Sequence, residues 1–587
     1  MVHDDLKLAQ RSDNSPSTSL ARSEKPTTKI ALSNKEGISD WEAGVSVAKA
    51  IMGAGSFALP WAFSKMGYIA GPLVLVLFLS LSVRSIGILV DCARFLRTRH
   101  ERTQSQSIGQ GGVRSISYVD VARATFGSTG AALAYTASIA SSIGVCGSYL
   151  VFVALNLSSL LGRFGIQGTD EEEPAGGRRL FLILVWIVAL PIAVLLSSVR
   201  DPKRFAAVSF WGDISVVAGM LAVVVYGLAF GSGSNSGQKT SSVRDCVAIG
   251  SFGDMALALG SIGYLFLIHF LVLPIESSMV GNCEDGTSSD AEAGLSTHVS
   301  TNRSQVVKDK DRFQKVVART FVVCGSIGGI FGLIGYGLFG TNTQQIVLLN
   351  VEGSIGMAIV QSLLCIDLLL TYPVVMRPSI QILEEHWSLL VLSKRKKDGI
   401  CFSNPHNENV EGDVLQMVPL TESSSCSKRS SAVSVVDSKD QSSSVTLDLD
   451  IGMNASRNNN YTTENAGHMI VCLVLGVIAA GAGSFVPAFG LLSGLVGGVS
   501  QTFLAFVLPP LMWAKQEQQK SFDETRNNQL PGDPTLSESH VNAAANAWAC
   551  FGSLPWREKC LVLCGLGLIG WTLHSTWAEL GKNSGGH

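Results

Sequence analysis

Five ionisable residues sit in stretches of the chain that are otherwise apolar: Arg84, Asp213, His269, Glu276 and Asp367. Inside hydrocarbon each such group costs about 2.5 kcal/mol or more unless it is paired or wetted, so each is a candidate for moving or balancing charge. His269 is the one histidine near mid-depth, one turn before Pro274, and its ordinary titration range suits a coupling proton. The bland alternative is a neutral imidazole bonded to a neighbouring helix. Asp367 could take a proton, hold Na⁺ together with Thr371, or close a polar contact with Gln361 or Ser362. Arg84 stays charged at every useful pH; it is expected to be a fixed counter-charge for Asp213 or Glu276, or to snorkel to the surface. A second kind of chemistry resides in the main chain of Gly53-Ala54-Gly55-Ser56-Phe57-Ala58-Leu59-Pro60, where two glycines and a proline interrupt an apolar span. A break there exposes N–H groups that suit a carboxylate, and small residues that a ligand can approach closely. The same stretch also suits plain close packing of helices.

These residues need a membrane scaffold. The 587 residues are 47% hydrophobic and only 15% charged, with 60 glycines, mean hydropathy +0.31 and a formal net charge of −2. That composition is far from a soluble domain, and the charge argues against a nucleic-acid partner. Apolar blocks of spanning length predict helices at 42–64, 69–93, 129–161, 180–199, 205–230, 247–279, 313–340, 354–384, 467–489, 491–514 and 558–578. The expectation is an all-α integral membrane protein with about eleven transmembrane helices. The domain plan is a disordered cytosolic tail at 1–40, helices 1–8 within 41–385, and a serine-rich cytosolic loop at 386–465. Helices 9 and 10 follow within 466–515, then a cytosolic linker at 516–557 and helix 11 with a short non-cytosolic tail at 558–587.

Basic residues cluster after even-numbered helices: Arg94, Arg97 and Arg99, then Arg200, Lys203 and Arg204, then Lys308, Lys310 and Arg312, then Lys394 to Lys397. Odd connections are acidic or poor in charge, as at Asp170 to Glu173, which predicts a cytosolic N-terminus. No cleavable signal peptide is read at the start. The sequons at Asn454 and Asn460 fall on the side where they are discounted. Twelve cysteines show no metal spacing and no disulfide framework. No Walker lysine and no Ser/His/Asp constellation point to an enzyme.

In order, the pieces Gly53 to Pro60, Ile88-Leu89-Val90-Asp91-Cys92-Ala93, Tyr149 to Phe152 followed by Asn156, Val272-Leu273-Pro274-Ile275-Glu276-Ser277, Gly335-Tyr336-Gly337-Leu338-Phe339-Gly340, Tyr372-Pro373 and Leu508-Pro509-Pro510 form a pattern. It resembles the amino acid/auxin permease family, and within it the proton-coupled amino acid transporters and their vacuolar relatives.

The resemblance implies a LeuT-like fold: helices 1–5 and 6–10 as inverted repeats, helices 1 and 6 unwound, and an amino acid held between them. A small neutral amino acid would have its carboxylate on N–H groups around Gly53, Ala54, Gly55 and Ser56. Its ammonium would sit on carbonyls from Gly263 through Tyr264 to Phe266, with Phe57 and Phe266 bounding the side chain. Arg84 aligns with a helix 2 histidine of proton-coupled relatives, and Leu267 stands where the family has an acidic residue. His269, Asp367, Arg84 and Glu276 are the coupling candidates. No cofactor is expected beyond a coupling proton or Na⁺, and the partners are the substrate, the bilayer and regulators of the 386–465 loop. The membrane is vacuolar, lysosomal or plasma membrane. The alternatives are a Na⁺-coupled transporter and an amino-acid sensor with little transport.

Overall fold

A computed structural model describes residues 38–104, 116–163, 174–199, 203–230, 246–279, 298–351, 355–397, 467–528 and 547–584. The tail before residue 38, most of the 386–465 loop with its sequons, and 529–546 lie outside the described residues. Among the described residues nine helices are long and apolar enough to cross a membrane, and a bent pair at the start makes another span. The remaining helix, Lys203–Phe230, carries an apolar stretch at Ile214–Ala229, which brings the count to eleven. The chain is an all-α integral membrane protein.

Helix α1 comes in two pieces, α1a (Asp40–Ile51) and α1b (Leu59–Met66), joined by a tight 3₁₀ turn at Ala54–Ala58 and bent by 48°. The start of α1a is fixed by a capping box: Ser39 accepts from the Glu42 N–H, and the Glu42 carboxylate accepts from the Ser39 N–H at 2.7 Å. Pro60 lies in the first turn of α1b, where its missing N–H costs nothing. Gly67 ends α1b at φ 96°, a conformation that a side chain resists, and a Cβ there would run into the backbone of Ala248 and Ile249.

Helices α2 (Ala70–Gln104), α3 (Tyr118–Arg163), α4 (Pro174–Ser197, with a π-turn at Leu184–Ala189) and α5 (Lys203–Phe230) complete the first half. Helix α3 starts earlier than the expected 129 because Gly127, at φ 66°, kinks the chain without ending the helix.

The second half opens with another break, between α6a (Phe252–Phe266) and α6b (His269–Met279). It continues through α7 (His298–Phe339), α8 (Ile355–Lys397), α9 (Gly467–Phe485) and α10 (Phe489–Asn528), with α11 (Trp556–Ser584) outside the repeat. Helices α8 and α10 run on to Lys397 and Asn528, past the loop boundaries drawn from hydropathy, because helix and membrane need not end together. Broken helices at positions 1 and 6 are what the LeuT-like expectation requires.

Small residues set the depth of packing. Helices α6a and α10 meet backbone to backbone: a Cβ on Gly260 would strike the Gly494 carbonyl, and one on Gly497 the Gly260 carbonyl and Tyr264 N. Such approach is how membrane helices gain dispersion contact without a hydrophobic drive.

Candidate functional site

The two breaks face one another across a buried cavity of about 40 Å³. Gly53, Ala54 and Gly55 line it from the break in α1, Lys49, Ala50 and Ile51 from the end of α1a. Tyr264, Leu265, Ile268, Phe270 and Leu271 line it from α6, with Val145 and Tyr149 of α3, Val375 of α8 and Gln501 of α10.

The break in α1 is where the glycines predict it. At Gly53 the backbone is extended (φ −149°), so its value is slenderness: a Cβ would come to 3.8 Å from the Tyr149 hydroxyl. Gly55 is the position that cannot carry a side chain, since a Cβ would meet Leu265 at 2.7 Å and the Tyr264 ring at 2.8 Å. The 3₁₀ turn uses the Ser56 N–H on the Gly53 carbonyl at 3.0 Å. That corrects the expected N–H set: Ser56 is occupied, while Gly53, Ala54 and Gly55 stand ahead of the first bond of the turn and at the cavity wall.

The break in α6 is displaced from its expected glycines. It falls at Leu267 and Ile268, with Leu267 at φ −97° and ψ 60°. Gly260 and Gly263 are spent instead on the α10 seam, and the Gly263 carbonyl accepts the Leu267 N–H at 2.9 Å. The carbonyls of Tyr264, Leu265 and Phe266 are the last of α6a, beyond the reach of intrahelical donors.

Tyr264 is held by Ser148, hydroxyl to hydroxyl at 2.6 Å, which ties α6a to α3 beside the cavity. Phe57 and Phe266 do not bound the pocket. Phe57 points into the core, with ring centroids 6.1 Å from both Phe152 and Phe331, and Phe266 packs 6.1 Å from Phe321. Aromatic faces at the cavity come from Tyr149, Tyr264 and Phe270.

The ionisable set separates by partner. Glu276, wholly buried, receives Arg94 Nε at 3.0 Å and Arg97 Nη2 at 2.6 Å, which ties α6b to α2. Arg84 is 61% exposed and pairs with Glu558 on α11 at 2.5 Å, so the expected pairing with Asp213 or Glu276 is corrected. Asp213 is on α5 but its side chain lies outside the described residues. His269 opens α6b, has no exposure, and neither ring nitrogen has a partner among the described residues. Asp367 accepts from Thr371, lies against Gly212 of α5, and feels the charge of Lys49. Neither proposed contact partner, Gln361 or Ser362, bonds it: Gln361's amide is unpartnered and Ser362 donates to the Ala358 carbonyl.

Lys49 is the residue that sequence reasoning missed. It reads as a surface lysine at the start of a helix, yet its Nζ is buried and it lines the cavity one turn before Gly53. A lysine four residues before a glycine break is the signal that marks it.

A family described as "Transmembrane amino acid transporter protein" matches residues 36–284 and 302–530, which takes in both breaks. The chain belongs to this family. Among its relatives are the amino acid transporters AVT3C and AVT3B of Arabidopsis thaliana. AVT3C is 27% identical over 363 residues, 60% of this chain and 71% of that protein. AVT3B is 27% identical over 348 residues, 58% of this chain and 70% of that protein. A structure titled the inward facing conformation of Mhp1 has TM-score 0.40 at 13% identity, covering 94% of this chain and 96% of that chain, too distant to bear on the fold. As members of a transporter family, this chain and its relatives are membrane amino acid transporters and not enzymes.

Proposed function

We propose that the chain is a secondary active transporter of small neutral amino acids, coupled to protons and working by alternating access. The observation that carries this is the pairing of the two breaks around one cavity. N–H groups of Gly53, Ala54 and Gly55 face the substrate carboxylate, and the carbonyls of Tyr264, Leu265 and Phe266 face its ammonium, the placement that half-helix ends favour. Size supports a small substrate: about 10–15 Å³ admits one water, and a cavity of about 40 Å³ is in the range of glycine or alanine. No buried anion beside the cavity would reject a neutral side chain. Proton coupling falls to His269 and Asp367, because Glu276 is engaged between α2 and α6b and Arg84 with α11.

The basic flanks support a cytosolic N-terminus and cytosolic segments at 386–465 and 516–557 as sites for regulators; the membrane is vacuolar, lysosomal or plasma membrane. Proteoliposomes holding the purified protein test the reading with labelled glycine, alanine and proline. Uptake is expected to follow an imposed pH gradient without Na⁺, and unlabelled substrate inside is expected to drive counterflow. Uptake that needs Na⁺ would transfer the coupling to that ion; binding with no counterflow would make the protein a sensor.

A further inference from the structure

The broken helices account for the substrate's ends but leave open how a proton makes binding and transport depend on one another. Three observations meet at Lys49. Its ammonium is buried at the wall of the cavity, next to the residues that receive the carboxylate. Its charge acts on Asp367 of α8, and Asp367 is fixed in place by the Thr371 hydroxyl on one side and the bare Gly212 backbone of α5 on the other. Its element, α1a, ends at the break, so any movement of the break moves Lys49.

Building on the transporter reading above, we propose that the Lys49 ammonium is shared between two carboxylates, that of Asp367 and that of the substrate, and that this sharing is the coupling. With Asp367 ionised, the ammonium is committed to it. A proton from the loading side converts the Asp367 carboxylate to the acid; Lys49 keeps its own protons and turns its charge to the incoming carboxylate at Gly53 to Gly55. On the other side the amino acid leaves, Asp367 returns its proton to water, and the pair re-forms. One proton and one zwitterion have crossed, with only the Asp367 O–H made and broken. Coupling between two ligands is reciprocal, so protonation must tighten substrate binding by the factor that substrate tightens protonation.

The surroundings leave Lys49 few rivals. From α3 the cavity presents the Tyr149 hydroxyl and from α6a Tyr264, which is bonded to Ser148. From α6b come His269, unpartnered, and Glu276, held by Arg94 and Arg97. Helix α7 meets α1a at Gly44 through Val316 and Thr320, and its Arg312 pairs with Asp40 at the far end of α1a. A positive charge already opposite Asp367 also makes that carboxylate a poor seat for Na⁺.

Equilibrium binding of labelled alanine to the full-length protein in detergent, from about pH 5 to about pH 8, reads the sharing directly. Wild-type affinity is expected to fall roughly tenfold over that span, within the usual range of ligand coupling. Asp367→Asn is expected to bind at the acidic value at every pH and to lose accumulation driven by a pH gradient. Lys49→Met is expected to bind weakly at every pH; should that variant not fold with Asp367 left unbalanced, Lys49→Met with Asp367→Asn gives the same readout. Wild-type pH dependence retained in Lys49→Met or in Asp367→Asn overturns the proposal. Binding judges Lys49, and counterflow judges the transporter, so wild-type binding without counterflow would fail the function while the pH series still decides the sharing.

Discussion

Replacing Glu276 by glutamine removes a charge at the one place in the described structure where two guanidinium groups converge on a wholly buried carboxylate. Glu276 has no exposure, and its partners' side chains, Arg94 and Arg97, are 11% and 14% exposed. Three hydrogen bonds of 3.0, 3.1 and 2.6 Å join them. Breaking a buried pair by removing one partner costs about 3–5 kcal/mol, because the opposite charge stays desolvated. The pair of Arg84 and Glu558 makes an internal control. Its arginine is 61% exposed, so solvent screens it and Arg84→Gln should cost about 1 kcal/mol or less. Reversible unfolding of both variants in mixed SDS micelles yields the two free energies side by side. Replacing Arg94, Arg97 and Glu276 together by leucine should recover most of the Glu276→Gln loss, as apolar packing often does for a buried ionic cluster. Equal costs for Glu276→Gln and Arg84→Gln would refute the reasoning, since burial would then have made no difference.

Gly55→Ala places a methyl group 2.7 Å from Leu265 and 2.8 Å from the Tyr264 ring; overpacking of this kind costs about 1–3 kcal/mol, and uptake by proteoliposomes should fall with little loss of protein yield. Tyr264→Phe and Ser148→Ala each remove the 2.6 Å bond, at about 0.5–1.5 kcal/mol apiece, and alanine-binding assays on the double variant should show a loss close to that of either single one. His269→Leu should raise unfolding free energy by about 1–3 kcal/mol, the burden of a buried unsatisfied group, while lowering uptake under a pH gradient; a variant that is less stable and transports normally would make the imidazole structural.

The break in α1 was legible because Gly53, Gly55 and Pro60 leave few other readings. The break in α6 was misplaced for a physical reason: Leu267 adopts φ −97° and ψ 60°, open to any residue, so no glycine is needed there. The glycines nearby serve a seam whose other face, Gly494 and Gly497, is more than two hundred residues away in the chain. Partners separated so far cannot be read from local pattern, and the same holds for Arg84, whose partner Glu558 is 474 residues on. Phe57 was assigned to the pocket because it follows the glycines, yet the 3₁₀ turn aims it at Phe152 and Phe331. Lys49 was overlooked since a cation near a helix start looks like a solvated face until the fold buries its tip.

The seam between α6a and α10 has a mechanical meaning. At Gly260, Gly494 and Gly497 no layer of side chains separates the two backbones, so sliding would drag one row of carbonyls across another. A joint of that kind is stiff. Helices α6a and α10 therefore travel as one beam, and the compliance of the sixth span is concentrated at Leu267 and Ile268, which act as its bearing, with α6b as the moving arm.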